Sequence, residues 1–276
     1  MTKALFIQIV TLLFTLPASV DAQRTTRSNL PLISAHRGAS RLAPENTKAS
    51  FLMAIDAGAD FIEIDVRTTA DGEQVIVHDK SLQRTTELNS LVSETDYAAI
   101  KKLSAGSWFR KDFREQTVPT LEEVCALVKS ENKRRSSDVR LYVDCKAIVP
   151  SNVVSILKKY ELLDSAVFYG DLQTLKSIKE QFPSARLMPS FPGIKQADDL
   201  LKSISPYAFD VPFQSLDETT VAYIHGKRIK VFSDLLGKDD HPASYRKALE
   251  YDIDLIQTDD VDGVKKIYTE FETHEK

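Results

Sequence analysis

The feature that most constrains the fold is a regular alternation of short apolar runs with amphipathic segments, which continues almost to the end of the chain. Short apolar runs predict buried strands, and a 3.6-residue apolar period predicts helices. Such alternation indicates a parallel sheet covered by helices. Eight or so such units in about 250 residues predict an α/β protein of the TIM (β/α)8 barrel type. A doubly wound open sheet is the alternative, although no Gly-rich dinucleotide fingerprint follows the first strand.

The alternation predicts one domain over about residues 31–270. The predicted strands are 32–35, 61–66, 74–78, 141–145, 166–169, 186–189, 208–211, 230–232 and 254–257. Segment 81–119 interrupts the rhythm because it is polar and irregular. A long segment after a strand of this fold lies over the mouth of the barrel, so we expect either a lid that selects substrate or a packing insertion.

The amino terminus has the form of a secretory signal peptide. Lys3 is followed by the apolar run 4–16, then by Pro17 and small residues ending at Ala22. The apolar run is short and is interrupted by polar residues, so we expect no stable membrane span. We predict that residues 1–22 are removed and that the protein is exported to the periplasm or the extracellular space.

The net charge of the chain bears on the class of macromolecule that it could bind. The formal net charge is −4, so nothing favours a nucleic-acid partner bound through a basic surface.

The two cysteines, Cys125 and Cys145, lie in a predicted helix and the strand after it. An oxidising compartment permits a disulfide between them, and two buried thiols are the alternative. The sequence leaves this choice and the oligomeric state open.

Carboxylates stand out on the second predicted strand. Glu63 and Asp65 share one face of this strand, because alternate residues of a strand point the same way. Two carboxylates on a buried face are costly unless a cation compensates them. Their oxygens suit a hard divalent cation such as Mg²⁺ or Ca²⁺, and an ion pair with a neighbouring Arg or Lys is the alternative.

Histidines follow two other predicted strands. His36-Arg37-Gly38 ends the first strand, and His78 ends the third. The same alternation places Asp144 and Lys146 on the inward face of strand 141–145. The carboxyl ends of barrel strands hold the catalytic groups of TIM barrels. Two histidines, three carboxylates and two cations at one mouth suit phosphodiester cleavage, with one histidine as general base and the other as general acid.

The order of these elements resembles the glycerophosphodiester phosphodiesterase family, and also phosphatidylinositol phosphodiesterase-like TIM-barrel enzymes. The matching segments are His36-Arg37-Gly38, Pro44-Glu45-Asn46-Thr47 with Ser50-Phe51, 58–66, 69–72, His78-Asp79, Leu82 with Arg84-Thr85-Thr86, 119–123 and 254–259. The resemblance covers nearly the whole chain after the leader. It implies a TIM barrel with an insertion after the third strand, which fits segment 81–119.

The resemblance also implies roles for individual residues. It implies that His36 and His78 are the acid–base pair and that Glu63 and Asp65 bind the divalent cation, with Asp144 at the place of a third ligand. Arg37 and Lys146 would then hold the phosphate. The implied reaction releases glycerol 3-phosphate and an alcohol, by water attack or through a cyclic phosphate. The expected partner is therefore a small-molecule phosphodiester.

Two departures from the family pattern concern the metal and the substrate. The family usually has Glu where this chain has Asp144, so the metal position or preference is expected to shift. An aromatic-Thr-x-Asn element of the family is replaced by Val231-Phe232-Ser233-Asp234, so the leaving alcohol need not be a common head group.

Two other functions remain alternatives. A lysophospholipase D-type enzyme acting on lipids would use exposed aromatics at the mouth, for which Trp108, Phe109 and Phe113 are candidates. These aromatics equally suit the core of the insertion. A non-catalytic binding protein on the same barrel would be expected to lose a histidine or a metal carboxylate, and both sets are present.

Overall fold

A computed structural model describes residues 30–274 of the chain. Eight parallel strands form a barrel, and helices alternate with them. The barrel strands are β1 (Leu32–Ala35), β2 (Phe61–Thr68), β4 (Arg140–Ala147), β5 (Val167–Tyr169), β6 (Arg186–Met188), β7 (Ala208–Asp210), β8 (Lys230–Asp234) and β9 (Leu255–Thr258). The remaining strand, β3 (Gln74–Ile76), lies outside the barrel and pairs with β2. The predicted TIM barrel is confirmed.

The helices cover the outside of the barrel. They are α1 (Lys48–Ala57), α3 (Leu121–Asn132), α4 (Pro150–Lys159), α5 (Leu172–Gln181), α6 (Ile194–Ser203), α7 (Glu218–Gly226), α8 (Pro242–Glu250) and α9 (Val261–His274), and the short α2 (Tyr97–Ile100) lies in the insertion. No helix among residues 30–274 is long and apolar enough to cross a membrane. The predicted signal peptide, 1–22, lies outside the described residues and stays a prediction.

The strands run in the order β6-β5-β4-β2-β1-β9-β8-β7. The barrel closes between β6 and β7, where Tyr207 N donates to Leu187 O at 2.8 Å and Asp210 N donates to Pro189 O at 3.1 Å. The interior below the mouth is filled by side chains from all eight barrel strands, so the barrel has a packed core and not a pore: Leu32, Phe61, Tyr142, Val167, Met188, Ala208, Phe232 and Leu255.

The opposite faces of the strands pack against the helices. Ile62, Ile64 and Val66 of β2 join the main apolar cluster, which the helices complete. Helix α3 begins at Leu121 because Thr120 caps it: the Thr120 side chain accepts from Glu123 N, and the Glu123 carboxylate accepts from Thr120 N. Alternation along the strands therefore separates an inner face, which ends in polar groups at the mouth, from an outer apolar face.

The strand predicted at 74–78 is present as β3, but its predicted place in the barrel is wrong. Strand β3 ends at Ile76 and runs antiparallel to β2, with Val66 opposite Ile76 and Thr68 opposite Gln74. The link between these strands is a tight turn in which Gly72 adopts φ +88°. A parallel partner needs a crossover of about a dozen residues, so this short link permits only a hairpin. His78 therefore follows a hairpin strand, and the insertion follows the second strand of the barrel.

The insertion, 81–119, packs on this hairpin. Val75 and Val77 of the hairpin join a small apolar cluster of insertion residues: Leu82, Val92, Ile100, Ala105 and Val118. Val77 N also donates to Asp65 O at 2.9 Å. The hairpin thus carries the insertion beside the end of β2, and it brings His78 to the mouth of the barrel.

Candidate active site

Three carboxylates converge at the mouth. Asp144 of β4 lies opposite Asp65 of β2 in the parallel register, and Glu63 lies one inward position earlier on β2. One ligand oxygen from each of the three lies within 4.8 Å of the others. Glu63 is 2% exposed and Asp65 is 1% exposed. We call Glu63, Asp65 and Asp144 the carboxylate triad.

Burial makes the triad electrostatically strained. Burial, and then repulsion from Asp65 and Asp144, raises the pKa of Glu63 well above its usual range. Burial is also the largest cause of the raised pKa of Asp144, although Lys146 opposes it. Such a site favours any cation that neutralises it. Three carboxylate oxygens this close match the donor set of a hard divalent cation, so the residues fit a metal such as Mg²⁺ or Ca²⁺.

Arg37 lies against the triad in a constrained conformation. Its backbone N donates to Glu63 Oε2 at 2.8 Å, and its φ of +55° is in the left-handed region. The Arg37 Nε is 3.3 Å from Asp65 Oδ2, yet it is buried without a hydrogen-bond partner. Since a buried donor without an acceptor is costly, an anionic oxygen entering the mouth would complete this guanidinium.

Lys146 supplies the second cation. Its Nζ is 2.6 Å from Asp144 Oδ2 and 3.5 Å from Asp65 Oδ1. Although burial lowers it, the pKa of Lys146 is raised on balance because Asp144, Asp65 and Glu63 surround the ammonium. The cations predicted to hold a phosphate therefore both border the triad.

His36 follows β1 at the same mouth. Its Nδ1 is 2.8 Å from Asp259 Oδ1, just beyond β9. Ser40 Oγ donates to the same Asp259 oxygen at 2.9 Å. A carboxylate at Nδ1 fixes the ring orientation and leaves Nε2 for proton transfer. Sequence reasoning missed Asp259, and its position at the end of the closing strand was the available signal.

His78 has the same kind of partner. Its Nδ1 is 2.7 Å from Asp79 Oδ1. The Arg67 Nε and Nη2 donate to the His78 carbonyl at 2.9 and 2.6 Å, which fixes the backbone of this histidine. Sequence reasoning missed Arg67, although it shares the inward face of β2 with Asp65. His78 is also close enough to Asp144 to oppose part of the burial-driven rise in the pKa of that carboxyl.

Asn46 is a further residue of the site that sequence reasoning left without a role. Its Nδ2 donates to Asp65 Oδ2 at 2.7 Å, and its φ is +57°. Asn tolerates the left-handed region better than most residues. The amide thus fixes the rotamer of a triad carboxylate whose other contacts are cations.

The residues of this site lie within a segment that matches a known protein family. A model of the "Glycerophosphoryl diester phosphodiesterase family" matches residues 36–263, most of the described chain. The chain belongs to this family. The resemblance predicted from the sequence is confirmed, and the matched range includes both histidines and the whole triad.

Individual family members give the same assignment. The chain is 31% identical to a glycerophosphodiester phosphodiesterase of Caldanaerobacter subterraneus over 56% of its own length, and the match spans 65% of that relative. It is 31% identical to a glycerophosphodiester phosphodiesterase of Bacillus subtilis, over 71% of this chain and 73% of that one. An Oleispira antarctica phosphodiesterase, solved in complex with the product sn-glycerol-3-phosphate, has a similar fold, with a TM-score of 0.77 and 26% identity over 87% of this chain and 97% of that one.

Asp234 at the end of β8 lies on an acidic side of the mouth. Asp234 accepts from Gln257 Nε2 at 2.7 Å. Burial, followed by repulsion from Asp210 and Asp144, raises the pKa of Asp234 well above its usual range. Burial and Asp144 raise the pKa of Asp210 to about 6. Asp210, Asp234 and Asp144 therefore make this side of the mouth acidic.

The aromatic residues of the insertion pack on one another. Phe113 is buried, and Phe109 lies edge-on between Phe113 and Trp108. Trp108 is 44% exposed, but its Nε1 donates to Ala105 O at 2.9 Å. Two of the three candidate lipid-facing aromatics therefore contribute to the packing of the insertion.

The cysteines are two buried free thiols. Burial raises the pKa of Cys125 to about 12 and that of Cys145 well above its usual range. Cys145 does lie on the helix side of β4, as the strand alternation predicts. Of the two alternatives that the sequence left open, the structure has the unbonded one.

Proposed function

We propose that this protein hydrolyses glycerophosphodiesters to glycerol 3-phosphate and an alcohol with the help of a divalent cation, Mg²⁺ or Ca²⁺. One observation carries the proposal: two histidines, each with Nδ1 on a carboxylate, lie at the mouth that holds the buried triad. Family membership supports the substrate class, as does the glycerol 3-phosphate product bound to the Oleispira antarctica relative.

The proposed roles follow from the contacts. With Nδ1 bonded to carboxylate, the Nε2 atoms of His36 and His78 are the ones that can move protons. One histidine removes a proton from the attacking oxygen, which belongs either to water or to the neighbouring hydroxyl of the glycerol, and the other gives a proton to the leaving alcohol. In the second case the product of this step is a cyclic phosphate, which water then opens to glycerol 3-phosphate. Arg37 and Lys146 bind the non-bridging phosphate oxygens. A cation held by Glu63, Asp65 and Asp144 supplies further neutralisation of phosphate charge when it is bound.

A substrate panel tests the proposal. Phosphodiesters of glycerol with choline, ethanolamine and inositol, together with a lysophospholipid, are assayed with Mg²⁺, with Ca²⁺ and with EDTA. We expect release of glycerol 3-phosphate that EDTA abolishes. A faster reaction on the lysophospholipid would instead favour the lipid-cleaving alternative. ³¹P NMR spectra recorded during the reaction would distinguish a cyclic phosphate intermediate from direct hydrolysis.

Two variants complete the test. Glu63→Gln removes one triad charge with almost no change in volume, and it should abolish turnover. His225→Asn is the matched control, because the His225 Nε2 is 2.8 Å from Asp254 at the opposite end of the barrel. Binding of the diesters without turnover by the wild-type protein would favour a non-catalytic role, and full activity in EDTA would contradict the metal.

A further inference from the structure

Arg84, at the start of the insertion, bridges two carboxylates of the mouth. Its Nε donates to Asp79 Oδ2 at 2.6 Å, and its Nη2 is 3.3 Å from Asp79 Oδ1. Its Nη1 and Nη2 donate to Glu45 Oε2 and Oε1, both at 2.7 Å. One guanidinium therefore holds two carboxylates, each by a pair of hydrogen bonds.

Each of these carboxylates has a second partner in the site. Asp79 Oδ1 is 2.7 Å from the His78 Nδ1. Glu45 Oε1 accepts from Arg37 Nη1 at 3.0 Å. A continuous chain of charged hydrogen bonds thus runs from the histidine, through Asp79, Arg84 and Glu45, to the arginine that borders the triad.

We propose that Arg84 is a positioning residue, which fixes His78 and Arg37 relative to each other through Asp79 and Glu45. This inference rests on the proposed function. In a phosphodiester reaction, His78 transfers a proton at an oxygen of the same phosphorus that Arg37 binds. Misplacement by about an ångström costs such reactions heavily, so a rigid link between the two groups has a direct value.

The contacts distinguish this role from direct phosphate binding. Both sides of the Arg84 guanidinium are occupied by carboxylates, and Asp79 and Glu45 together balance more than its charge. A phosphate would have to displace one of them. Lys cannot replace Arg84, since a point-like ammonium cannot form two parallel hydrogen-bonded pairs. Arg84 is also 43% exposed, and exposed ion pairs contribute little to stability.

A double-mutant cycle tests the link through Asp79. Arg84→Met, Asp79→Asn and the double variant are assayed for kcat and KM on the best diester. Outer residues that orient catalytic groups typically change activity by about 10–100-fold, and we expect a loss in kcat of that size for each single variant. The double variant should lose about as much as the worse single variant. Losses that multiply would show that Arg84 acts independently of Asp79, and they would overturn the proposal.

Arg84→Lys and Arg114→Met serve as reference variants. Arg84→Lys retains the charge, and we expect it to recover only a small part of kcat. Arg114 is another insertion arginine, 73% exposed and paired with Glu115, so Arg114→Met should keep wild-type kinetics. Thermal unfolding should show that all the variants are folded at neutral pH. An Arg84→Lys variant with full activity would contradict the bidentate role.

The orientation of His78 gives a measurement that needs no turnover. In ¹⁵N-histidine NMR spectra at a pH where the imidazole is neutral, the wild-type His78 should carry its proton on Nδ1, facing Asp79. Arg84→Met and Arg84→Lys should show a mixture of tautomers, assigned with His78→Ala. An unchanged tautomer in both variants would overturn the proposal even if the wild-type protein proved inactive, whereas inactivity alone would overturn only the proposed function.

Discussion

Each of the two histidines at the mouth has a carboxylate at its Nδ1, but different parts of the fold hold the two carboxylates. His36 is bonded to Asp259, which is 223 residues away and belongs to the end of the barrel. His78 is bonded to its neighbour Asp79, which the insertion holds through Arg84. The His36 side chain is 17% exposed and that of His78 is 33% exposed. One histidine is therefore positioned by the pairing of the first and last barrel strands, β1 and β9, and the other by a local surface network.

The barrel side has a second buried layer. Asp240, whose side chain is fully buried, accepts from Arg41, Tyr245, Thr258 and the Asp259 backbone at 2.5–3.0 Å. The insertion side has a partly exposed guanidinium in the corresponding place. We therefore expect substitutions in the insertion to change the position of the His78 side chain and to leave that of His36 unchanged.

Removal of either histidine should have the largest effect. His36→Ala and His78→Ala should each reduce kcat by about 10²–10⁴-fold, because general acid–base catalysis contributes about that much. His225→Ala, at the opposite end of β9, should keep wild-type kcat although it removes a similar contact of 2.8 Å to a carboxylate. Steady-state kinetics on the preferred diester measure all three. A large loss in His225→Ala would mean that the pair at the mouth is not special.

The supporting carboxylates should differ from each other. Asp259→Asn should reduce kcat by about 100-fold and Asp79→Asn by about 10-fold, within the usual range for residues that orient a catalytic group. The reason is burial: water can take the place of Asp79 more easily than that of Asp259. Kinetics of the two variants, with thermal unfolding as a check on folding, would contradict the comparison if the order were reversed.

Loss of the buried layer should appear as lower stability. Asp240→Asn removes a charged acceptor from four donors, so we expect it to lower the free energy of unfolding by about 2 kcal/mol. Asp112→Asn, at a side chain that is 80% exposed, is the matched control and should change little. Urea unfolding measures both variants. Equal stability of the two would remove the distinction between a buried and an exposed support.

The smallest effect concerns acid pH. Hydrogen bonding to Arg84 is the largest cause that lowers the pKa of Asp79 to about 2, from a usual value of 3.8. A carboxyl whose pKa is lower in the folded than in the unfolded protein stabilises the fold at any pH above its unfolded-state pKa. This contribution is lost as the pH falls through the folded-state pKa. The Tm of wild type minus that of Asp79→Asn should therefore shrink between about pH 4 and pH 2. A difference that grew over this interval would contradict the Arg84–Asp79 contact.

Much of the site was predictable because strand geometry is local. A period of two placed Glu63 and Asp65 on one face of β2, and the same rule placed Asp144 and Lys146 together on β4. The one misplaced strand, 74–78, could have been placed correctly. The link between Thr68 and Gln74 is too short for a helical crossover, so the sequence itself already excluded a parallel strand there.

The sequence by itself determined the barrel, its family and the residue types at the strand ends, because hydrophobic period and motif order are properties of the chain alone. Only the tertiary structure decided the partners: Asp259 for His36, Asn46 and Arg67 around β2, and Arg84 between two carboxylates. It also decided that the two thiols are free. These contacts depend on barrel closure and on how the insertion packs, which bring distant residues within hydrogen-bonding distance and have no periodic signature in the sequence.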